Sequence, residues 1–180
     1  PDQIVNQYGA DILRLWSVSS VFTEDLRIGD EIIKTNVDAY RRLRNTLRFV
    51  LGNLTDFDDG EKLDPVEMPE LDRLMLHHIA ELDQLVRQCC DDYDFPKMFG
   101  ALYNFCTVDL SAFYFDIRKD CLYCDGATSI RRRAVRTVLD QLFYCLTAWF
   151  GPILCYTAEE AWLNRFPSED DSVHFQLFPE

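Results

Sequence analysis

The chain has 180 residues, 48% of them hydrophobic, and a formal net charge of −13 at pH 7. Such a length and apolar content suit one domain, or one domain with a small appendage. The acidic balance excludes nucleic-acid binding over the whole surface but not over a local basic patch, and no run of 18 apolar residues is available to cross a membrane.

The N-terminal part predicts two helical stretches around a glycine. Residues 1–20 indicate a short helical turn, then Gly9, then a helix through ADILRLWSVSS (10–20). The first residues, PDQIVNQYGAD, lack an initiator Met and the basic-then-apolar layout of a signal peptide. We therefore expect the chain to be a piece of a longer protein. A break is predicted around TEDLRIGD (23–30).

A long amphipathic helix is predicted next, over about residues 30–54, because apolar residues recur there at steps of three to four. Its apolar stripe consists of Ile33, Val37, Tyr40, Leu47, Leu51 and Leu54. The acidic stretch TDFDDGEKLDPVEMP (55–69) contains one glycine and two prolines. Such a composition predicts a loop.

The rest of the chain predicts three more long helices. A helix begins near Glu70, an aromatic-rich helix covers about 95–115, and residues 120–129 form a loop. The fourth long helix covers about 130–150 and ends at Gly151-Pro152, because proline cannot continue a helix. Four long helices joined by turns predict an all-α, antiparallel helical bundle with a short N-terminal helical module.

The last residues predict one short helix and an extended tail. Thr157 and Glu160 have the spacing of a capping box, which predicts a helix over about 158–166. The segment SVHFQLFPE (172–180) alternates apolar and polar residues and predicts one extended segment.

The seven cysteines do not form a convincing metal site. Cys121 and Cys124 have zinc-knuckle spacing, but a structural zinc needs four ligands and the chain has no second CxxC or HxxxH. Cys89-Cys90 and His77-His78 lie on one helix and project in different directions. An odd number of cysteines, most of them among apolar neighbours, favours reduced thiols in a cytoplasmic protein.

No catalytic constellation is present in the sequence. There is no GxSxG, no HExxH and no glycine-rich phosphate loop. Glu159 and Glu160 fall in the first turn of a predicted helix, where carboxylates interact favourably with the helix dipole. We therefore predict no catalytic residue in these 180 residues.

A basic block interrupts this acidic chain on the first long helix. At 100° per residue, Arg41, Arg44 and Arg48 fall within roughly 60° of one another, beside the apolar stripe. Lys34 lies at the edge of the same strip, while Arg42 points elsewhere, near Asp38, which can neutralise it. The alternative is a solvated face whose arginine stems cover the core edge or pair with acidic residues of 56–72.

A second basic block, IRRRAVR, begins the fourth long helix. Arg131, Arg132 and Arg133 lie in its first turn and Arg136 just beyond. A cation at a helix N-terminus is unfavourable by about 0.3–1 kcal/mol, which a docked anion such as phosphate would offset. The two blocks hold eight of the 18 basic residues. That asymmetry indicates a localised phosphate-binding surface.

Five stretches, in order along nearly the whole chain, resemble one family. They are YGADILRLW (8–16), NVDAYRRLRNTLRFVLGNL (36–54), FYFDIRKDCLYCD (113–125), GPILCYTAEEAW (151–162) and SVHFQLFPE (172–180). These stretches are similar to segments of the class I aminoacyl-tRNA synthetases of the isoleucyl, valyl and leucyl group. FYFDIRKD favours the isoleucyl member. Cys155 and Tyr156 depart from the Pro-Phe that is usual in the family's pattern.

The resemblance implies a part of a larger enzyme. Such an enzyme would join isoleucine to its tRNA through an aminoacyl-adenylate made from ATP with magnesium. Its catalytic and editing domains would lie upstream, and a zinc-binding module would lie downstream. The present piece would need no cofactor. It would comprise the end of the stem-contact region after the KMSKS loop (1–28), the anticodon-binding helical bundle (29–166) and an extended tail (167–180).

The resemblance also implies a partner, the anticodon stem-loop of an isoleucine tRNA, held by a monomer. Phosphate contacts require basic residues and splayed loop bases require aromatic or amide groups. The first candidates for tRNA binding are Arg41, Arg44 and Arg48, and the weaker ones are Arg131, Arg132 and Arg136. Asn45, Phe57, Tyr93 and Tyr123 are further possible base contacts, although packing is the default for each. Arg14 and Trp16 are expected to support packing.

Three other interpretations stay open at this point. The bundle can brace the enzyme core, with anticodon reading left to the downstream module. It can be the equivalent domain of a valyl or leucyl enzyme. The cysteines can instead hold a zinc ion in a protein–protein adaptor.

Overall fold

The computed structural model describes residues 1–21, 23, 25–26 and 28–179, and every regular element in them is helical. The prediction of an all-α fold is therefore confirmed. The helices are α1 (Asp2–Tyr8), α2 (Ala10–Ser19), α3 (Asp30–Asn53), α4 (Glu70–Asp91), α5 (Phe95–Asn104), α6 (Phe115–Cys124), α7 (Ile130–Phe150) and α8 (Cys155–Arg165). The predicted break at 23–30 lies partly outside the described residues.

The N-terminal module packs onto the bundle. Gly9 separates α1 from α2 with a φ of 92°, a value that favours glycine. Leu15 is fully buried in the same apolar core as the bundle helices. Arg14 donates to the carbonyls of Pro152 and Ile153, at 2.6 and 3.0 Å. The packing role expected for Arg14 is therefore present, whereas the division at residue 28 stays a prediction.

The third long helix is longer than its sequence indicates. It continues from α5 through a π-helical segment, Phe105–Tyr114, into α6, which ends at Cys124. The predicted loop over 120–129 is therefore wrong for its first five residues. The charged composition of FDIRKD (115–120) does not indicate a buried face. In the structure, however, Arg118 points inward and donates two hydrogen bonds to the Asp72 carboxylate, at 3.1 and 2.7 Å.

Helix α7 is the centre of the bundle, since 14 of its 21 residues are buried. It packs against α3, α4, α6 and α8. It ends at Phe150, immediately before Gly151, as predicted. Its central position means that a side chain on most of its surface meets protein rather than solvent.

Helix α8 begins at Cys155, without the predicted capping box. The hydroxyl of Thr157 donates to Asp11 of α2 at 2.6 Å, and Asp11 also accepts from the backbone N–H groups of Tyr156 and Thr157. A carboxylate from the N-terminal module thus caps α8. Local spacing could not indicate a partner 146 residues away.

The tail is not one extended segment. Val173–Phe175 forms a 3₁₀ turn that Ser172 caps. The Glu159 carboxylate accepts from the Val173 N–H and the Ser172 hydroxyl, both at 2.9 Å. Glu159 therefore anchors the tail to α8.

The cysteines allow a prediction about reactivity. All seven are free thiols, and Cys124 is exposed. Burial raises the pKa of both the Cys106 and Cys145 thiols to about 12, from an ordinary value of 9.0. At pH 8 only roughly one molecule in ten thousand then carries either thiolate, which is the reactive form. Iodoacetamide at pH 8 should label Cys124 first and spare the two buried thiols.

Mass spectrometry of the labelled peptides checks this outcome, with the urea-unfolded chain as the control in which all seven cysteines react. Because the folded pKa values are raised, the stability from these two neutral thiols is present below pH 9 and lost as the pH rises towards 12. Equal labelling of Cys106 in the folded and unfolded chains would contradict the burial.

Candidate nucleic-acid interface

The outer face of α3 carries the predicted basic strip. The opposite face holds the helix in place, because Leu43, Leu47 and Val50 are buried in the core. This anchoring turns Arg41 and Arg48 to solvent, with Arg44 half-exposed at the border of the bundle. The structure therefore brings the three arginines together on one accessible face.

Weak contacts hold these arginines in the free protein. Arg41 lies 3.4 Å from Asp38, and both side chains are about 70% exposed. Arg44 lies 4.0 Å from Glu160. Exposed pairs of this kind contribute about 0–1 kcal/mol. Within the described ranges Arg48 has no ion pair. A phosphate that binds these arginines would therefore break only weak contacts within the protein.

One predicted pairing is wrong. Asp38 contacts Arg41, three residues later, and not Arg42, four residues later. Both spacings bring groups to the same side of a helix. Lys34, at the edge of the strip, pairs with Glu31 at 3.1 Å. Asp38 thus partly neutralises the strip itself.

An open groove of about 280 Å³ runs between α3 and α8, beside the strip. Arg44 and Arg48 line its α3 side, and Glu160 and Asn164 line its α8 side. Helix α8 is placed there by its cap from Asp11 and by the core contacts of Ala158 and Trp162. The groove gives a polyanion room to contact both arginines along one border of the bundle.

The second basic block is mostly engaged inside the protein. Arg132 donates to the Leu122 carbonyl at 3.3 Å. Arg133 donates to the carbonyls of Glu61 and Gly60, each at 3.1 Å. Only Arg131 stays largely exposed, 3.9 Å from Asp125. These bonds to carbonyls at the end of α6 and in the segment after α3 account for the cations at the start of α7 without a bound anion.

Arg136 is buried, with 4% of its surface exposed. It binds both carboxylate oxygens of Glu61 at 2.7 and 2.6 Å, and donates to the carbonyls of Asn53 and Thr55. All three of its guanidinium nitrogens are thereby engaged. Arg136 therefore ties α7 to the end of α3, and its role in phosphate contact stays a prediction that this burial does not support.

Phe57 belongs to the same arrangement, since the Arg136 guanidinium lies 5.2 Å from the centre of its ring. This contact occupies one face of an aromatic group that the sequence offered for base stacking. The rings of Tyr93 and Phe95 form a T-shaped pair, with the centroids 6.1 Å apart. Tyr123 stays 67% exposed.

Sequence reasoning missed a buried network that joins the start of α4 to the π segment and α6. Asp72 is fully buried and accepts from the Tyr114 hydroxyl at 2.7 Å as well as from Arg118. Burial raises the pKa of the Tyr114 phenol well above its ordinary value. Asp72 lies in the first turn of α4, where an acidic residue is common because it interacts favourably with the helix dipole. No local pattern distinguished it.

The described part of the chain contains neither a cluster of metal-ligating side chains nor a membrane-spanning helix. There, no group of three or more His, Cys, Asp and Glu side chains is arranged to hold a metal ion. Over the same residues, no helix combines the length and apolar content that crossing a bilayer requires.

Comparison with known proteins identifies the family of the chain. Residues 72–180 match the family model of the anticodon-binding domain of tRNA ligase. The chain is 59% identical to the isoleucine–tRNA ligase of Ruegeria pomeroyi and 51% identical to that of Agrobacterium fabrum, in each case over 100% of its own length. It spans 19% and 18% of those two proteins, or about a fifth of their length.

A solved structure supports the fold. The LeuRS chain in a ternary complex from Agrobacterium radiobacter K84, with tRNA and LeuAMS, superimposes with a TM-score of 0.70. It is 15% identical, and the match covers 99% of this chain and 20% of that one. The resemblance found from the sequence is confirmed, and the isoleucyl relatives favour the isoleucyl member over the leucyl one. The chain belongs to the anticodon-binding domain family of tRNA ligases, and its curated relatives are isoleucine–tRNA ligases.

Proposed function

We propose that this chain binds the anticodon stem-loop of an isoleucine tRNA, as one part of a larger isoleucine–tRNA ligase. The family match supplies the class of partner. The observation that carries the proposal is the accessible strip of Arg41, Arg44 and Arg48, in which the ion pairs of Arg41 and Arg44 are long and solvated. Such a strip offers guanidinium groups to phosphates at little cost.

In this proposal the chain positions the tRNA, and other parts of the enzyme carry out the chemical steps. Elsewhere in the enzyme, ATP and magnesium would serve the ligation of isoleucine, and a zinc-binding module would follow this chain. The bundle would act as a monomer in the cytoplasm and hold the anticodon stem so that the distant acceptor end reaches the catalytic site. Arg131 is a weaker contact in this proposal, and Arg132 is less accessible because its Nε donates to Leu122.

Binding of a fluorescent anticodon stem-loop by the 180-residue chain tests the proposal. We expect saturable binding that weakens steeply as salt rises, because phosphate contacts release counterions. An unlabelled isoleucine stem-loop should compete better than heparin or a hairpin with scrambled loop sequence. Absence of binding at low salt, or equal competition by all three, would contradict it.

A second candidate function is bracing of the enzyme core. Specific contacts favour it, since Asp11 and Arg14 join the N-terminal module firmly to α8 and to the turn before it. Under this alternative the chain shows no preference for a tRNA stem-loop over heparin. The competition experiment therefore separates the two functions.

A further inference from the structure

Two cysteines lie in the last turn of α6, which ends at the second of them, Cys124. Cys124 is exposed, whereas the other six thiols, including that of Cys121, are buried or half-buried. Among the seven cysteines, only these two are separated by one helical turn. We propose that Cys124 is a site of reversible thiolation and that Cys121 resolves the adduct into a disulfide between the two residues.

Helix geometry brings the two cysteines within reach of each other. Three residues along an α-helix place the Cα atoms of Cys121 and Cys124 about 5 Å apart. Disulfides join Cα atoms that are about 4.4–6.8 Å apart. The Cβ atoms of such a pair lie about 5–6 Å apart in a regular helix, whereas a disulfide requires about 3.5–4.5 Å. The last turn therefore has to tighten when the bond forms.

The end of α6 is placed to make this change. The N–H of Asp125 donates to the Cys121 carbonyl at 3.2 Å, and the Cys121 thiol donates to the Arg118 carbonyl at 3.1 Å. Asp125 already has an extended backbone, with a φ of −76° and a ψ of 145°. Residues 126–128, which follow, are exposed. The chain after the turn can therefore follow when the turn tightens.

The exposure of the two thiols sets the order of the chemical steps. The Cys124 thiolate attacks one sulfur of a low-molecular-weight disulfide such as glutathione disulfide, whose S–S bond breaks as one thiol leaves. The Cys121 thiolate then attacks the Cys124 sulfur and releases the second thiol. Two cysteines are oxidised to one disulfide, and the small disulfide is reduced to two thiols, which take up the two cysteine protons. Burial raises the pKa of the Cys121 thiol above its ordinary value of 9.0, so Cys121 does not begin the exchange.

The disulfide also changes the start of α7. The Leu122 carbonyl, in the same turn, accepts from Arg132 at 3.3 Å. The Asp125 carboxylate accepts from the Ser129 hydroxyl at 2.9 Å and lies 3.9 Å from Arg131. Tightening of the turn moves both acceptors. The oxidation state of the two cysteines is thereby coupled to the accessibility of the two arginines, and this coupling does not depend on RNA binding.

Intact-mass spectrometry of the 180-residue chain, treated with glutathione disulfide and quenched with acid at intervals, tests this chemistry. We expect an adduct of one glutathione, which converts to a species lighter than the reduced chain by two hydrogens. Cys124→Ser should form neither product. Cys121→Ser should form the adduct and keep it without conversion, and Cys121→Ala serves the same purpose if the serine variant does not fold.

Cys155→Ser is the matched control, because Cys155 is half-buried and has no cysteine one turn away. It should behave as the wild type does. Amide exchange at Asp125 should be about 5-fold faster in the disulfide form, which is the worth of one hydrogen bond. Unchanged exchange would show that the turn does not respond. The proposal is wrong if peptide mapping finds the first adduct on another cysteine, or if the wild type keeps its adduct as long as Cys121→Ser does.

Discussion

Replacing Arg41 and Arg44 together by glutamate should lower the affinity for the anticodon stem-loop about 100-fold or more. Each charged hydrogen bond to a phosphate contributes about 1.5–3 kcal/mol, so loss of two corresponds to at least two decades of affinity. The fold should survive, because both side chains lie on the outer face and their present ion pairs are weak. Fluorescence anisotropy at fixed ionic strength measures the affinity, and circular dichroism checks the fold.

The control for that variant carries the same change in net charge. Arg42 and Arg73 are both exposed, Arg42 about 100° away from Arg41 around α3 and Arg73 on α4. Replacing both by glutamate should weaken binding only a few-fold, through long-range repulsion. If the control loses as much affinity as the variant, the effect comes from total charge and the strip has no special role.

Replacing Arg136 by methionine should reduce the free energy of unfolding by about 3 kcal/mol and leave RNA affinity unchanged. Removal of one partner from a buried ion pair costs about 3–5 kcal/mol, and the lower figure applies because Glu61 retains 20% exposure. The carbonyls of Asn53 and Thr55 also lose their donor. Urea unfolding followed by circular dichroism gives the stability.

Arg131→Met is the control for Arg136, since it removes a cation from the same helix with a single 3.9 Å ion pair. Its effect on stability should stay within about 0.5 kcal/mol. Binding must be compared at a temperature where both variants are folded. If Arg136→Met is as stable as the wild type, then the contacts with Glu61 do not hold α7 to α3.

The features of the fold that were predicted correctly from the sequence are those that depend on local periodicity. The apolar stripe of α3 located that helix to within one residue at its end, and Gly151-Pro152 located the end of α7. The errors involve partners distant in sequence. The local sequence around Arg118 does not indicate its buried contact with Asp72, which lies 46 positions away. The local spacing predicts a cap from Thr157, whereas in the structure Asp11 of α2 caps α8.

The same distinction between local and distant partners applies to the candidate site. Helical geometry was enough to place Arg41, Arg44 and Arg48 on one face, because all three lie on one helix. It could not separate Arg131 from Arg136, because their exposure depends on the loop after α3, whose carbonyls and Glu61 surround Arg136. Asn45 and Tyr123 line one groove between α3 and α6. Only the tertiary structure brings these two residues together.

The acidic total charge is consistent with this arrangement. The region after α3 contains carboxylates that hold Arg136 and cap the two 3₁₀ turns at Asp59–Glu61 and Pro65–Glu67. Negative charge away from α3 repels RNA that approaches from the wrong side, while the strip attracts it. A net charge of −13 and a localised basic strip therefore favour one orientation of a bound stem-loop.

The most direct test of the phosphate contacts is the salt dependence of stem-loop binding by the wild type and by Arg41→Gln/Arg44→Gln. The slope of log K against log salt concentration counts the phosphates that the protein neutralises. We expect the slope of the variant to be shallower by about two units, one for each arginine removed. Equal slopes for the two proteins would show that the α3 strip does not contact the RNA backbone.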